Sequence, residues 1–117
     1  MQISMDIEGT TITATLDNSE AAKDFLSLLP LSVTLEDYAA TEKIGDLPRR
    51  LSTTGSPSGM TPQVGDVTYY ALWGNLAIFH KEYSYAKGLV RLGVLDSGIE
   101  VVRRPGPLKV TIRNETQ

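Results

Sequence analysis

Apolar and polar residues alternate at the start of the chain: Ile3, Met5 and Ile7 share one side, and beyond Glu8-Gly9 the alternation resumes with Ile12, Ala14 and Leu16 against threonines. Two segments of period two joined by a glycine-containing turn predict a β-hairpin whose apolar side faces a core. The period then changes. In DNSEAAKDFLSLLP, residues Ala21, Ala22, Phe25, Leu26, Leu28 and Leu29 fall on one broad helical face, behind the N-cap candidates Asp17, Asn18 and Ser19. Pro30 stops the pattern, so one principal α-helix is predicted over about residues 18–29.

Period two returns in LSVTLEDYA, where Leu31, Val33 and Leu35 oppose Ser32, Thr34 and Glu36. The following ATEKIGDLPRRL reads as a further strand or an ordered connection. STTGSPSGMTP, dense in Ser, Thr, Gly and Pro, reads as an exposed mobile loop and the best place for a lid. VTYYAL and LAIFHK pair across WGN, whose Gly74 and Asn75 tolerate positive φ. A polar connection KEYSYAKG leads to a strand LVRLGVL, a turn DSG, a short strand IEVV, and a last strand LKVTIR after RRPGP. One helix among six to eight strands, without βαβ alternation, predicts a mainly β fold closed into a largely antiparallel barrel. No internal repeat or charge block divides the chain, and residues 1–117 are expected to form a single domain.

Composition narrows the function classes. Apolar residues make up 41% and charged residues 21%, an ordinary globular balance, and a chain of this size buries roughly two-thirds of its unfolded surface. Eleven basic against fourteen acidic residues leave a net charge of -3 with no Lys/Arg stripe, so no nucleic-acid partner is expected. The longest apolar stretches, such as FLSLLPL, fall short of a bilayer span, and MQISMDIEG lacks the features of a signal peptide. No membrane partner and a cytoplasmic location are expected. The absence of cysteine excludes disulfides, thiolate catalysis and thiolate metal sites.

His80 is the only imidazole, and Glu36, Asp37, Glu42 and Asp46 read as solvated loop carboxylates, so no metal site is expected. No phosphate-binding glycine pattern suggests a nucleotide cofactor, and no cofactor is assigned. There is no G-x-S-x-G elbow, and no catalytic residue is assigned. What stands out is YYALWGNLAIFHK, which holds the only Trp, the only His and half of the eight aromatic residues. Alternation puts Val67, Tyr69 and Ala71 opposite Thr68, Tyr70 and Leu72, and Leu76, Ile78 and His80 opposite Ala77, Phe79 and Lys81. One Tyr and Phe79 could simply fill the barrel while the other Tyr lies under the loop. The functional reading is an apolar groove with a few polar tips. His80 reads as a structural or surface residue, and Arg103 and Arg104 as a solvated pair before a turn. Arg49 and Arg50 are solvated loop cations or donors to a ligand carbonyl or carboxylate.

Taken in order along most of the chain, ATLDNSEAAKDFLSLLPL, EDYAATEKIGDLPRRL, the P-x-x-G-D of PQVGD, YYALWGNLAIF and GLVRLGVLDSG resemble a bacterial cyclophilin-like family, a minimal version of the cyclophilin barrel. LVRLGVLDSGIEVV is also similar in pattern to the V-V-F-G-x-V-x-x-G stretch of true cyclophilins. The resemblance implies a closed cyclophilin-like β-barrel. The prolyl isomerases of that kind use an Arg in a Phe-His-Arg strand, a Phe-Met-Gln strand, a core Phe, and a His just before Val-Val-Phe-Gly. Here Leu89 matches that His, Phe-Met-Gln is missing, and only Arg49 or Arg50 could stand for the Arg and Ile78 or Phe79 for the Phe. The expectation is therefore a binding module whose groove, near Arg49, Arg50, Tyr70, Trp73 and Phe79, takes a peptide or small-molecule ligand without strong catalysis. A weak peptidyl-prolyl isomerase is the alternative, and exposed aromatics would also allow a homodimer contact.

Overall fold

In the computed structural model, which describes residues 1–115, the N-terminal alternation folds into strands β1 (Gln2–Ile7) and β2 (Thr10–Leu16), paired antiparallel with Met5 opposite Ile12. Helix α1 (Glu20–Leu26) follows, and then β3 (Leu31–Tyr38), β4 (Glu42–Asp46), β5 (Gly59–Met60), β6 (Asp66–Tyr70) and β7 (Asn75–Phe79). The chain finishes with β8 (Ala86–Lys87), β9 (Leu89–Leu95), helix α2 (Ile99–Val102) and β10 (Leu108–Asn114). Eight of the strands close into an antiparallel barrel in the order β1-β10-β3-β4-β7-β6-β9-β2, and β5 pairs with β8 as a separate ribbon.

The barrel interior is built from the inward half of each alternation. Ile3, Met5, Ile7, Leu35, Val67, Leu76, Ile78, Leu92 and Ile112 are all inaccessible to solvent, and Ala21, Ala22 and Phe25 of α1 join the same cluster. Burying a side chain of this size contributes about 1.5–3 kcal/mol, so these positions dominate the folding energy. Tyr69 belongs here too, and its buried hydroxyl has a partner: it accepts the Leu51 N–H at 3.1 Å.

The helix is shorter than the apolar pattern predicts. Ser19 caps it, its hydroxyl oxygen accepting the Ala22 N–H at 3.2 Å, but α1 ends at Leu26 rather than at Pro30. Beyond it the Ser27 hydroxyl bonds the Asp24 carbonyl, and Leu28 and Leu29 donate three residues back, to Phe25 and Leu26. The last turn is tightened, which is how these side chains keep their apolar side without continuing the helix.

IEVV, expected as a strand, is α2. Its β-branched residues favour strands, but the Val101 and Arg103 amides donate to Gly98 and Ile99, and Val101 and Val102 are buried in the main core. Tertiary packing overrides a weak local preference. The segment expected as a free mobile loop is also tied down: Gly59–Met60 pairs with Ala86–Lys87, and the Gly88 amide donates to the Ser58 carbonyl at 2.7 Å. At the WGN reversal Gly74 alone takes positive φ, while Asn75 is already in β7.

The carboxylates read as loop groups lie on adjacent strands, Glu36 and Asp37 on β3 and Glu42 and Asp46 on β4. Strand β4 reverses the usual sidedness. Lys43, opposite the core residue Ile78, points inward and is fully buried, whereas Ile44 faces outward with Ala77. The buried ammonium is satisfied at the barrel end: it pairs with Asp37 at 2.7 Å and donates to the Gly106 carbonyl at 2.5 Å, while the Gly106 amide donates to the other Asp37 oxygen at 2.7 Å. Without those partners a buried charge would cost several kcal/mol, on the order of the whole stability of a small domain.

Candidate functional site

The outward half of the β6–β7 hairpin builds a second, smaller apolar cluster. Ala77 and Phe79 of β7 and Leu89 of β9 are buried, with Ile44, Met60, Tyr70 and Ala86 packed partly against them. Thr68 is sealed beneath, its hydroxyl donating to the Ala77 carbonyl at 2.7 Å. The β5–β8 ribbon lies on this outer surface through Met60 and Ala86 and so covers part of it.

What the ribbon leaves open is a cavity of about 380 Å³. Its walls contain Tyr38, Tyr70, Trp73, Phe79, Tyr83 and Tyr85, six of the eight aromatic residues in the chain. Trp73 is the corner. Its ring meets Tyr38 at 5.5 Å and 88°, and Tyr70 at 5.3 Å and 81°, two edge-to-face contacts that set neighbouring walls at right angles. Trp73, Tyr83 and Tyr85 remain about half exposed, unusual for such large rings unless something else covers them. Gly59 makes the opposite wall feasible: a Cβ there would lie 2.6 Å from the Tyr85 hydroxyl and 2.5 Å from the Ala86 carbonyl.

Two polar side chains enter the apolar floor. Cross-strand pairing sets Glu42 between Tyr38 and Phe79 on the outer face, and burial pushes its carboxyl up from the ordinary value, an effect the Thr41 hydroxyl at 3.3 Å partly offsets. Asn75, opposite Tyr70, is 3% exposed; its amide nitrogen donates to the Leu76 carbonyl, and its side-chain oxygen has no hydrogen-bond partner.

Of the residues singled out in the sequence, Tyr70, Trp73 and Phe79 come together in this cavity, and Arg49 and Arg50 are not among its lining. Arg49 is committed elsewhere. It clamps Asp24 with bonds of 2.8 and 3.0 Å and reaches the Ser27 hydroxyl at 2.9 Å; with the Ser52 amide, this holds the Asp24 carboxyl down at about 2. Arg50 donates to the Ala71 carbonyl at 2.7 Å and lies against Gly74, behind the turn that carries Trp73. Leu89, matched to the catalytic His of true isomerases, is a floor residue.

His80 is buried below the β7 end with neither ring nitrogen bonded, and burial first, then nearby Lys43, lowers its pKa. Arg103, expected as a solvated cation, holds the His80 carbonyl through two bonds of 3.1 and 3.2 Å. Among the described residues no three His, Cys, Asp or Glu side chains gather to hold a metal ion, and no helix is long and apolar enough to cross a membrane.

A family model described as the cyclophilin-like family matches residues 5–113. The chain belongs to the cyclophilin-like family. The solution structure of a hypothetical protein from Archaeoglobus fulgidus shares this cyclophilin-like barrel, with a TM-score of 0.73 over 97% of this chain and 93% of that one at 13% identity. No curated protein matches the chain.

The residues that sequence reasoning missed are the other walls of this cavity. Tyr38 and Glu42 sit on β3 and β4, and Tyr83 and Tyr85 on a connection that looked merely polar. One signal was available. In EKIGD a lysine stands where an inward residue belongs and an isoleucine where an outward one does, as happens when the outer face is itself a floor.

Proposed function

We propose that this cyclophilin-like barrel is a binding module, and that a peptide or small molecule occupies the groove of Tyr70, Trp73 and Phe79 without strong catalysis. One observation carries the reading: six of eight aromatic residues converge on one surface cavity while the barrel core needs only Tyr69 and Phe25. A cavity of about 380 Å³ lies within the ~300–1,000 Å³ of ordinary ligand sites. Strong isomerisation is disfavoured because Arg49 is held by Asp24 and Arg50 by the Ala71 carbonyl, leaving no arginine donor in the lining to stabilise a twisted prolyl amide.

The test is NMR of an Xaa-Pro peptide series added to the labelled protein. Amide shifts confined to the neighbourhood of Tyr70, Trp73 and Phe79, with unchanged cis–trans exchange of the peptide, are expected. Strongly accelerated exchange would make the protein an isomerase instead, and shifts only at distant residues would remove the groove as the site.

A further inference from the structure

Aromatic walls alone would suit any apolar ligand, but this groove carries an electrostatic bias. Ring faces are negative, and the T-shaped contacts of Trp73 with Tyr38 and Tyr70 set ring planes at right angles, as in a box. Glu42 lies in the floor between Tyr38 and Phe79, half-buried. Among the described residues it makes no ion pair, although unlike most of the unpaired carboxylates it is half-buried. Asn75 is also in the lining, with a buried side-chain oxygen that has no hydrogen-bond partner. Lys87, the one cationic residue of the lining, is exposed on the two-residue β8 and does not pair with Glu42.

We infer that the groove selects a small organic cation, a compact ammonium ion carrying methyl or methylene groups, with Tyr38, Tyr70 and Trp73 around it and Glu42 as its counter-charge. This rests on the binding reading above and adds the chemistry of the ligand. An anion would face both the ring quadrupoles and Glu42. A neutral ring would fill the box but strip water from Glu42 without replacing it. An alkylated ammonium ion satisfies both demands, because its carbon shell packs on the rings and the positive charge spread over that shell is attracted to the carboxylate.

The experiment is a titration followed by Trp73 fluorescence and amide shifts, with choline and its neutral isostere 3,3-dimethyl-1-butanol as probes. Trp73 is the only tryptophan, so its emission reports the box directly. Choline is expected to perturb Trp73 and the amides of Tyr38, Glu42 and Tyr70, and the neutral isostere to bind roughly tenfold more weakly. Glu42→Gln, nearly the same size, should erase most of that preference with an unchanged melting curve.

Equal binding of the two probes, or a preference that survives Glu42→Gln, overturns the inference. A trimethyllysine-containing peptide that binds roughly tenfold tighter than choline would overturn the small-molecule source. An Xaa-Pro peptide in parallel separates the two levels. If it moves the groove while choline does not, the cation is wrong and the binding module stands; if no probe moves the groove, both fall.

Discussion

The two faces of the β6–β7 hairpin are made from the same alternating stretch and have different fates. Val67, Tyr69, Leu76 and Ile78 look into the barrel, where most neighbours are apolar and the buried Tyr69 hydroxyl and Lys43 ammonium have partners in Leu51 and in Asp37 with Gly106, His80 at the β7 end being the exception. Tyr70, Ala77 and Phe79 look outward onto a floor that the β5–β8 ribbon covers only in part, and there Glu42 and the Asn75 oxygen lack full partners. The inner face is closed over by folding. The outer face is left partly open by it, with Trp73, Tyr83 and Tyr85 about half exposed around a half-buried carboxyl.

The comparison can be broken most directly in the barrel. Ile78→Ala removes a fully buried side chain and should cost about 2–5 kcal/mol in urea unfolding. Trp73→Ala should stay within about 1 kcal/mol of wild type while abolishing probe binding; a loss as large as that of Ile78→Ala would make Trp73 a core residue. Next in size, Tyr69→Phe strands the buried Leu51 amide and should cost about 1–3 kcal/mol, whereas Tyr70→Phe, with no such partner, should leave stability near wild type.

A smaller effect separates the faces by pH. His80 titrates lower in the folded state than its ordinary 6.5, so the unfolded chain binds the proton first. Its contribution is therefore complete above that value and is lost as pH falls below it toward the folded pKa. Thermal melting should show a decline beginning near neutral pH that His80→Gln removes; a profile identical in the variant would detach the effect from His80. Asp24 acts at a lower window, its contribution present above 3.8 and lost on descent toward about 2. The smallest change expected is Glu42→Gln, which removes a desolvated, unpaired carboxylate and should leave stability unchanged or raised by a few tenths of a kcal/mol. A clear loss of stability would mean that Glu42 serves the fold.

Much of the barrel was legible from sequence because β1, β2, β3 and β10 alternate, while β6, β7 and β9 read as strands from short apolar runs between turn residues. The helix end was misjudged because a tightened final turn keeps the same apolar spacing as a helix, and IEVV was misjudged because its core contacts outweigh β-branching. The groove was only half legible. Trp73, Tyr70 and Phe79 are close in sequence, but Tyr38, Tyr83 and Tyr85 arrive through strand pairing and the ribbon, which no local pattern encodes.

Closure of the barrel also restricts how anything can be recognised. Among the described residues the floor strands β6 and β7 are paired along both sides, so they leave no row of backbone amides and carbonyls for an extended peptide to join as an added strand. The two outer edges of the ribbon are the exception, and each is only two residues long. Anything that settles on that floor therefore meets ring faces and charge rather than main-chain register.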